Sequence, residues 1–226
     1  MIDKRKSPKH DTKTRILDAA EILFAENGFK DTSIHRLARK AHVNQAAVNY
    51  HFGSKDALVE QVIERRLASI GRLRLEKLQR IKTASARQGR RPGVHELLHA
   101  YIEPVFTLTE TPQGERYFLV IVGRALAEPD EAIRNLFIRQ FEPAFLLLAE
   151  LMQGALPDLS GSVLRWRLHF AIGALAHAMR LCGSQWPAGA FLPHAYDTET
   201  VVKSLVTFLA GGMAAPDVGA GALPPD

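Results

Sequence analysis

The stretch "TSIHRLARKAHVNQAAVNYHFGSKDAL", residues 32–58, places three helix starts close together. Ser33, Asn44 and Ser54 each precede helix-compatible residues, and each side chain can accept a backbone N–H that a helix start leaves without a partner. The spacing predicts three successive helices, which cover 34–41, 45–51 and a long stretch beginning at residue 55.

The first two of these helices are separated by about three residues, which is the geometry of a helix-turn-helix. Its small core would be apolar: Ile34, Leu37, Ala38, Val43 and Val48. The second helix would point the following residues outward: Gln45, Ala46, Ala47, Asn49, Tyr50 and His51. Such a face suits the major groove of DNA, because amides pair with base edges, alanine meets the thymine methyl group, and tyrosine and histidine bond phosphates.

A further helix is predicted before this pair. Apolar positions recur at helical spacing after Thr12: Ile16, Leu17, Ala20, Leu23 and Phe24. Asn27-Gly28 supplies a stop signal for that helix. The N-terminal part of the chain is therefore predicted to be a three-helix domain that contains a helix-turn-helix.

With "ILDAAEILFAENGF" (16–29) in the first helix, residues 11–65 resemble the DNA-binding module of the TetR/AcrR family of bacterial transcriptional repressors. The most specific part of the resemblance is the run Tyr50-His51-Phe52-x-Ser54-Lys55-x-x-Leu58. The resemblance implies a homodimer whose paired N-terminal domains grip a palindromic operator. It also implies an inducer pocket in a larger, all-helical C-terminal domain.

The resemblance further implies roles for individual residues. Ser33 and His35 would meet the DNA backbone and at times a base, and Lys55, at a helix N-terminus, would bind a phosphate. On the second short helix, two groups of residues would contact DNA. The base readers would be Gln45, Ala46, Ala47 and Asn49, and the phosphate contacts would come from Tyr50 and His51. One position departs from the family, because the turn glycine is His42 here. A left-handed backbone at this residue would cost about 1 kcal/mol relative to glycine.

Charge is distributed unevenly along the chain. Residues 1–91 hold 21 Lys and Arg against 10 Asp and Glu, whereas residues 92–226 hold 8 against 14. A basic first third favours a polyanionic partner, although a solvated charged surface has the same composition. Residues 1–10 carry four of these basic side chains, and we expect a flexible, solvated arm there rather than a segment that follows a DNA groove.

The composition also bears on location. The chain has a single cysteine, Cys182, so no internal disulfide can form, and no apolar run approaches the ~20 residues of a membrane-spanning helix. Residues 1–13 lack the apolar segment of a signal peptide. We expect a cytoplasmic, nucleoid-associated protein.

Helical patterns continue along the rest of the chain without strand alternation. The predicted segments are 55–86, 93–108, 113–126, 130–154, 160–182 and 197–211. The predicted fold is all-α with about nine helices: an N-terminal helix-turn-helix DNA-binding domain and a C-terminal helical ligand-binding and dimerisation domain. The predicted boundaries are 1–10 for the basic arm, 11–54 for the DNA-binding domain, 55–212 for the second domain and 213–226 for a flexible tail.

The segment "VHELLHA" (94–100) offers an alternative function, because His95-Glu96-x-x-His99 has the spacing of a zinc metallohydrolase. A third zinc ligand is missing from the longer form of that motif, since position 102 is isoleucine and position 105 is valine. The neighbouring apolar residues predict an ordinary amphipathic helix: Leu97, Leu98, Tyr101, Ile102, Val105 and Phe106. No nucleophile elbow, Walker loop or dinucleotide fingerprint is present. We therefore predict that the protein is not an enzyme and uses no metal or cofactor.

The C-terminal half is rich in aromatic residues, most of which we expect to pack the core. Helical phase selects five as inward-facing candidates for a ligand pocket: Tyr101, Phe106, Phe118, Phe141 and Trp166. Arg124 or His169 could provide a polar anchor among them. An apolar lining with one cation or imidazole suits a lipophilic or amphipathic acid.

Two segments near the C-terminus carry more small or apolar residues than one chain needs. Segment 160–182 has small residues at Ala171, Gly173, Ala174, Ala176 and Ala178, and segment 197–211 has apolar ones at Val201, Val202, Leu205, Val206, Phe208 and Leu209. Both helices of each subunit could form a four-helix interface, with intrachain packing as the alternative. Together with what the resemblance implies, these patterns lead us to expect a homodimeric repressor that a small lipophilic ligand releases from a palindromic operator.

Overall fold

The computed structural model of the chain describes residues 11–107, 117, 121–122, 131–183 and 197–217. These residues hold eight α-helices and no strand: α1 (Thr12–Asn27), α2 (Ile34–Lys40), α3 (Gln45–Phe52), α4 (Lys55–Arg87), α5 (Val94–Thr107), α6 (Glu131–Ala155), α7 (Gly161–Gly183) and α8 (Thr198–Ala214). The all-α prediction is confirmed, and the ninth predicted helix, over 113–126, lies largely outside the described residues, as do the arm and most of the tail. None of the eight helices is long and apolar enough to span a lipid bilayer.

The chain divides into two compact units, one up to Arg65 and the other from Arg66 onward. In the first unit, α1 packs against both α2 and α3. All five apolar positions predicted for α1 are buried: Ile16, Leu17, Ala20, Leu23 and Phe24. The helix ends at the predicted stop, where Gly28 adopts a φ of 83° and its N–H donates to the carbonyl of Phe24 at 2.9 Å.

The three predicted helix caps are present in the first unit. The Oγ of Ser33 accepts from the N–H of Arg36 at 3.2 Å, and the Oδ1 of Asn44 accepts from the N–H of Ala47 at 2.8 Å. The Oγ of Ser54 accepts from the N–H of Ala57 at 3.1 Å. Each cap satisfies one backbone donor that the helix start leaves unpaired, so the side chains seen in the sequence fix where α2, α3 and α4 begin.

The turn between α2 and α3 contains the predicted left-handed residue, His42, with a φ of 54°. The N–H of His42 donates to the carbonyl of Arg39, and the N–H of Val43 donates to the carbonyl of Ala38. This pair of bonds is a Schellman motif, which closes α2 and turns the chain toward α3. The same motif closes α4 with Gly89 in the left-handed position, at a φ of 61°.

In the second unit, α5 packs against α6 and α8, and α7 packs against the same two helices. The amphipathic pattern predicted for α5 is confirmed, because its six apolar positions are all buried: Leu97, Leu98, Tyr101, Ile102, Val105 and Phe106. The end of α8 is tied to α7 by Arg167, whose guanidinium donates to the carbonyls of Met213, Ala215 and Pro216 at 2.7–3.0 Å. These bonds satisfy carbonyls that the last turn of a helix leaves without partners.

Candidate functional site

The outward face of α3 carries the side chains predicted to read DNA. Gln45, Ala46 and Asn49 are exposed, and Ala47 and His51 are half-buried. Tyr50 is the extreme case, with 86% of its surface exposed. The opposite face buries Val48 and Phe52, so the helix is held from behind while its polar side chains face solvent.

The two residues predicted to clamp phosphate lie together at the end of α3. The rings of Tyr50 and His51 are 5.2 Å apart and meet edge to face. Tyr50 is otherwise almost fully solvated, and its hydroxyl makes no hydrogen bond to the described residues.

The remaining predicted DNA contacts lie beside α3 in the first unit. Ser33 and His35 are exposed at the start of α2. Lys55 is half-buried, and its Nζ donates to the carbonyl of Lys30 at 2.8 Å, a bond that joins the start of α4 to the loop after α1. An ammonium group has three protons, so Lys55 keeps donors for a phosphate while it holds this loop.

Two exposed basic residues in this unit were missed in the sequence. Arg39 and Lys40 form the last turn of α2, directly before the turn that leads into α3. Their position next to the reading helix would have identified them, because cations at a helix end beside a recognition helix are suited to phosphate contacts.

The His-Glu-x-x-His segment forms the start of α5, where Glu96 has a structural role. Its carboxylate accepts from the N–H of Gly93 at 2.7 Å and from the guanidinium of Arg90 at 2.8 Å. The bond from Arg90 holds the pKa of Glu96 below its usual value, and burial opposes this shift. His95 is exposed, and no group of three potential metal ligands occurs in the described part of the chain. The metallohydrolase alternative therefore finds no support.

The seven predicted pocket residues fall into three groups: buried or half-buried, exposed, and outside the described residues. Tyr101 and Phe106 are buried and Phe141 is half-buried, whereas Phe118 and Arg124 lie outside the described residues. The prediction that Trp166 faces inward is wrong, and His169, one of the two possible polar anchors, is exposed as well. Trp166 is 52% exposed, and exposed His169 pairs its Nδ1 with the carbonyl of Arg165 at 2.9 Å. A different face of α7 is buried: Leu164, Leu168, Ala171, Leu175 and Met179.

A buried cation that the sequence reading passed over lies in the second unit. Arg74 of α4 is only 2% exposed, and its Nε donates to the carbonyl of Tyr101 at 2.7 Å. Its guanidinium carbon lies 3.8 Å from the centroid of the Tyr101 ring and 4.9 Å from that of Phe141. The signal in the sequence is helical phase, because Arg74 follows Ile70 by four residues and precedes Leu78 by four, and both of these are buried.

The helices α7 and α8 share an exposed apolar face. Trp166, Phe170 and Phe208 are 52%, 66% and 73% exposed, and the rings of Trp166 and Phe170 are 5.9 Å apart. Phe170 and Phe208 line one shallow groove between the two helices. Exposed Gly173 lies on the Trp166 side of α7, one turn after Phe170.

Known proteins with similar sequences are transcriptional regulators. Residues 16–62 match the model of bacterial regulatory proteins of the tetR family, and residues 99–212 match that of the tetracyclin repressor-like C-terminal domain. HTH-type transcriptional regulator UidR of Escherichia coli (strain K12) is 30% identical over 135 residues, which are 58% of this chain and 61% of UidR. HTH-type transcriptional regulator AcrR of Shigella flexneri is 36% identical over 76 residues, which are 34% of this chain and 35% of AcrR. The match to UidR thus spans about three fifths of that protein's length.

A solved structure shares the fold over most of the chain. The transcriptional regulator FadR from Bacillus subtilis, in complex with stearoyl-CoA, superimposes with a TM-score of 0.64 at 16% sequence identity. The superposition covers 88% of this chain and 97% of FadR. At this identity the likeness concerns the arrangement of helices.

Proposed function

Because the chain belongs to the TetR family of bacterial transcriptional regulators, we propose that it represses transcription as a homodimer bound to a palindromic operator. A small amphipathic ligand in the second unit would release it. The observation that carries this proposal is the polar outer face of α3, displayed over buried Val48 and Phe52.

The residues of the first unit have separate roles in DNA binding. Gln45, Ala46, Ala47 and Asn49 would meet base edges in the major groove. The phosphate contacts would come from the flanking polar groups: Ser33, His35, Tyr50, His51 and Lys55. In this proposal, residues 11–54 form the DNA-binding domain and 55–212 the ligand-binding and dimerisation domain, and the protein acts on the nucleoid, in the cytoplasm, without enzymatic activity.

Three glycines in α7 and α8 support the homodimer. A Cβ added at Gly173, Gly211 or Gly212 would meet no atom within 4 Å in the described residues of one chain. A glycine inside a helix costs about 1 kcal/mol relative to alanine, and the described residues of one subunit give no packing reason for this cost at these three positions or at Gly154 of α6. The close approach of a second copy would explain the glycines, and it would cover Trp166, Phe170 and Phe208.

Two copies are also needed for tight binding, because a single recognition helix buries too little surface. A dimer presents two such helices to successive turns of the major groove, and its twofold symmetry is matched by a palindrome.

Release by a ligand requires two states of the dimer. In our proposal the ligand moves α4 and so changes the separation of the two recognition helices. The two helices can then no longer enter successive major grooves at the same time. To do so it must favour the released state by a few kcal/mol. The stearoyl-CoA held by the FadR neighbour is a bulky amphipathic molecule, which agrees with a ligand of that class in this fold.

The test begins with the operator, obtained by mapping bound sites genome-wide, and compares three variants on it. Gln45→Ala and Asn49→Ala should weaken operator binding by about 1–3 kcal/mol each while leaving binding to unrelated DNA unchanged. Lys55→Ala should weaken binding to every sequence and reduce the salt slope by about one. Equal losses on all DNA for all three variants would show that Gln45 and Asn49 do not read bases.

A further inference from the structure

Arg74 is a buried charge whose hydrogen bonding is incomplete. Its Nε is used by the Tyr101 carbonyl, but Nη1 and Nη2 have neither a hydrogen-bond acceptor nor a carboxylate among the described residues. A nearby acid on α5, Glu103, is paired with Lys77 instead. In the part of the chain that the structure describes, the guanidinium fork therefore lacks the anion that buried arginines ordinarily have.

The surroundings of Arg74 disfavour the charged form of its guanidinium. Burial lowers the pKa of the Arg74 guanidinium below its ordinary value and raises the pKa of the Tyr101 phenol. The two flanking rings provide attraction to a cation through their faces, but they do not accept hydrogen bonds from Nη1 and Nη2. We expect the ligand-free protein to be at least as stable with an apolar side chain of similar volume at this position.

Close packing fixes the geometry of this site within the second unit. One turn before Arg74, a Cβ on Gly71 would lie 3.2 Å from the carbonyl oxygen of Gln140, so α4 and α6 nearly touch there. That approach accompanies the contact of Phe141 with Arg74, and the bond to the Tyr101 carbonyl ties Arg74 to α5. The guanidinium carbon thus lies 3.8 Å and 4.9 Å from two aromatic ring centroids, and Nη1 and Nη2 make no hydrogen bond to the described residues.

We propose that Arg74 anchors the carboxylate of the regulatory ligand, which is an organic acid with an apolar body. The carboxylate accepts two parallel hydrogen bonds from Nη1 and Nη2, the end-on arrangement that remains when Nε is occupied. Its apolar body lies beside the rings of Tyr101 and Phe141, which contact the same guanidinium. This inference rests on the proposed function, because it names the ligand class and an anchor for the released state.

The test measures thermal unfolding with sodium octanoate, decanoate and 4-phenylbutyrate, each below its micellar concentration, against the matched alcohols. In the wild type, at least one acid raises the melting temperature and its alcohol does not. Arg74→Met should melt no lower than the wild type without ligand and should need about tenfold or more acid for the same shift. Arg72→Met, an exposed position on the same helix, is the control and should respond like the wild type.

Further outcomes distinguish a ligand-binding role of Arg74 from a purely structural role. If Arg74→Met melts well below the wild type and keeps the full response to the acid, Arg74 only joins α4 to α5 and the inference is overturned. It is also overturned if no acid shifts the wild type. Should Arg74→Met fail to fold, Arg74→Gln, which can still donate to the Tyr101 carbonyl, must lose the response.

The same proteins distinguish this inference from the proposed function. Arg74→Met should bind the operator as tightly as the wild type and should no longer leave it when the acid is added. Failure of the wild type to bind any DNA would end the proposed function, while the melting shifts would still decide whether Arg74 binds a carboxylate.

Discussion

The outer face of α3 and the outer face of α7 and α8 are both exposed, but their chemistry is opposite. On α3 the exposed groups are amides and a phenol, beside a half-buried imidazole, and all of them hydrogen-bond to water as readily as to DNA. On α7 and α8 they are Trp166, Phe170 and Phe208, whose ring surfaces are mostly apolar. The first face can remain solvated until DNA arrives, whereas the second is suited to a permanent, dry partner.

The difference shows that solvent-exposed side chains in one chain can belong to two kinds of contact surface. Side chains that are exposed and polar are candidates for a reversible contact, and side chains that are exposed, large and apolar are candidates for an interface that is always filled. Burying apolar surface contributes roughly 25 cal/mol per Å², so three aromatic side chains covered in each subunit would stabilise a dimer substantially.

The largest effect should follow from a bulky side chain on the apolar face. Gly173→Leu should convert the protein into a monomer, because the partner's helix could no longer approach. Operator affinity should then fall about 100-fold or more, since the second half-site contact is lost. Sedimentation and a DNA-binding titration measure the two effects.

A matched glycine provides the control for this substitution. Gly154 of α6 is also exposed, and a Cβ there also meets no atom within 4 Å in the described residues. Gly154→Leu should leave a dimer with unchanged affinity. If Gly173→Leu is also a dimer that binds normally, the apolar face of α7 and α8 is not the interface.

A smaller effect should follow from a single atom on the polar face. Tyr50→Phe keeps the ring contact with His51 and removes the hydroxyl, which we expect to bond a phosphate. Affinity should fall about fivefold to tenfold on every DNA sequence, as the loss of one hydrogen bond to a charged group predicts. Tyr117→Phe removes the same atom in the second unit and should have no effect on binding. A loss confined to the operator would mean that Tyr50 reads a base.

The smallest effect concerns the backbone that holds the polar face in place. His42 and Gly89 occupy the same left-handed position in two Schellman motifs. His42→Gly should raise the free energy of unfolding by about 1 kcal/mol, and Gly89→Ala should lower it by a similar amount. For a chain of this size each corresponds to a shift of roughly 2–4 °C in melting temperature. A His42→Gly protein that melts lower would mean that the imidazole makes a stabilising contact of its own.

Local chemistry explains which parts of the fold could be predicted. The starts of α2, α3 and α4 followed from Ser33, Asn44 and Ser54, because a cap acts within three residues of itself. The left-handed turn at His42 was expected on other grounds, because the family that the sequence resembles has a glycine at this position. Local pattern also placed Val48 inside and Gln45 outside, since both lie on one helix of known phase.

Trp166 was misplaced, and Arg74 was not singled out in the sequence. The rule that apolar residues face the core turned Trp166 inward, and it fails where a helix carries a second apolar face. Helical phase places Arg74 on the buried face of α4, but the sequence of α4 does not reveal that rings from α5 and α6 lie against it. The residues that carry these rings, Tyr101 and Phe141, are far from Arg74 in the sequence.

The cap formed by Glu96 bears on surveys of whole genomes. A glutamate three positions after a Pro-Gly pair can cap the N-terminus of a helix. If histidines occur by chance on both sides of it, the segment matches a protease signature. Searches that count such strings will include helix beginnings with no hydrolytic role. Rejecting matches in which the acid follows Pro-Gly at this interval would remove this kind of false positive before any protein is purified.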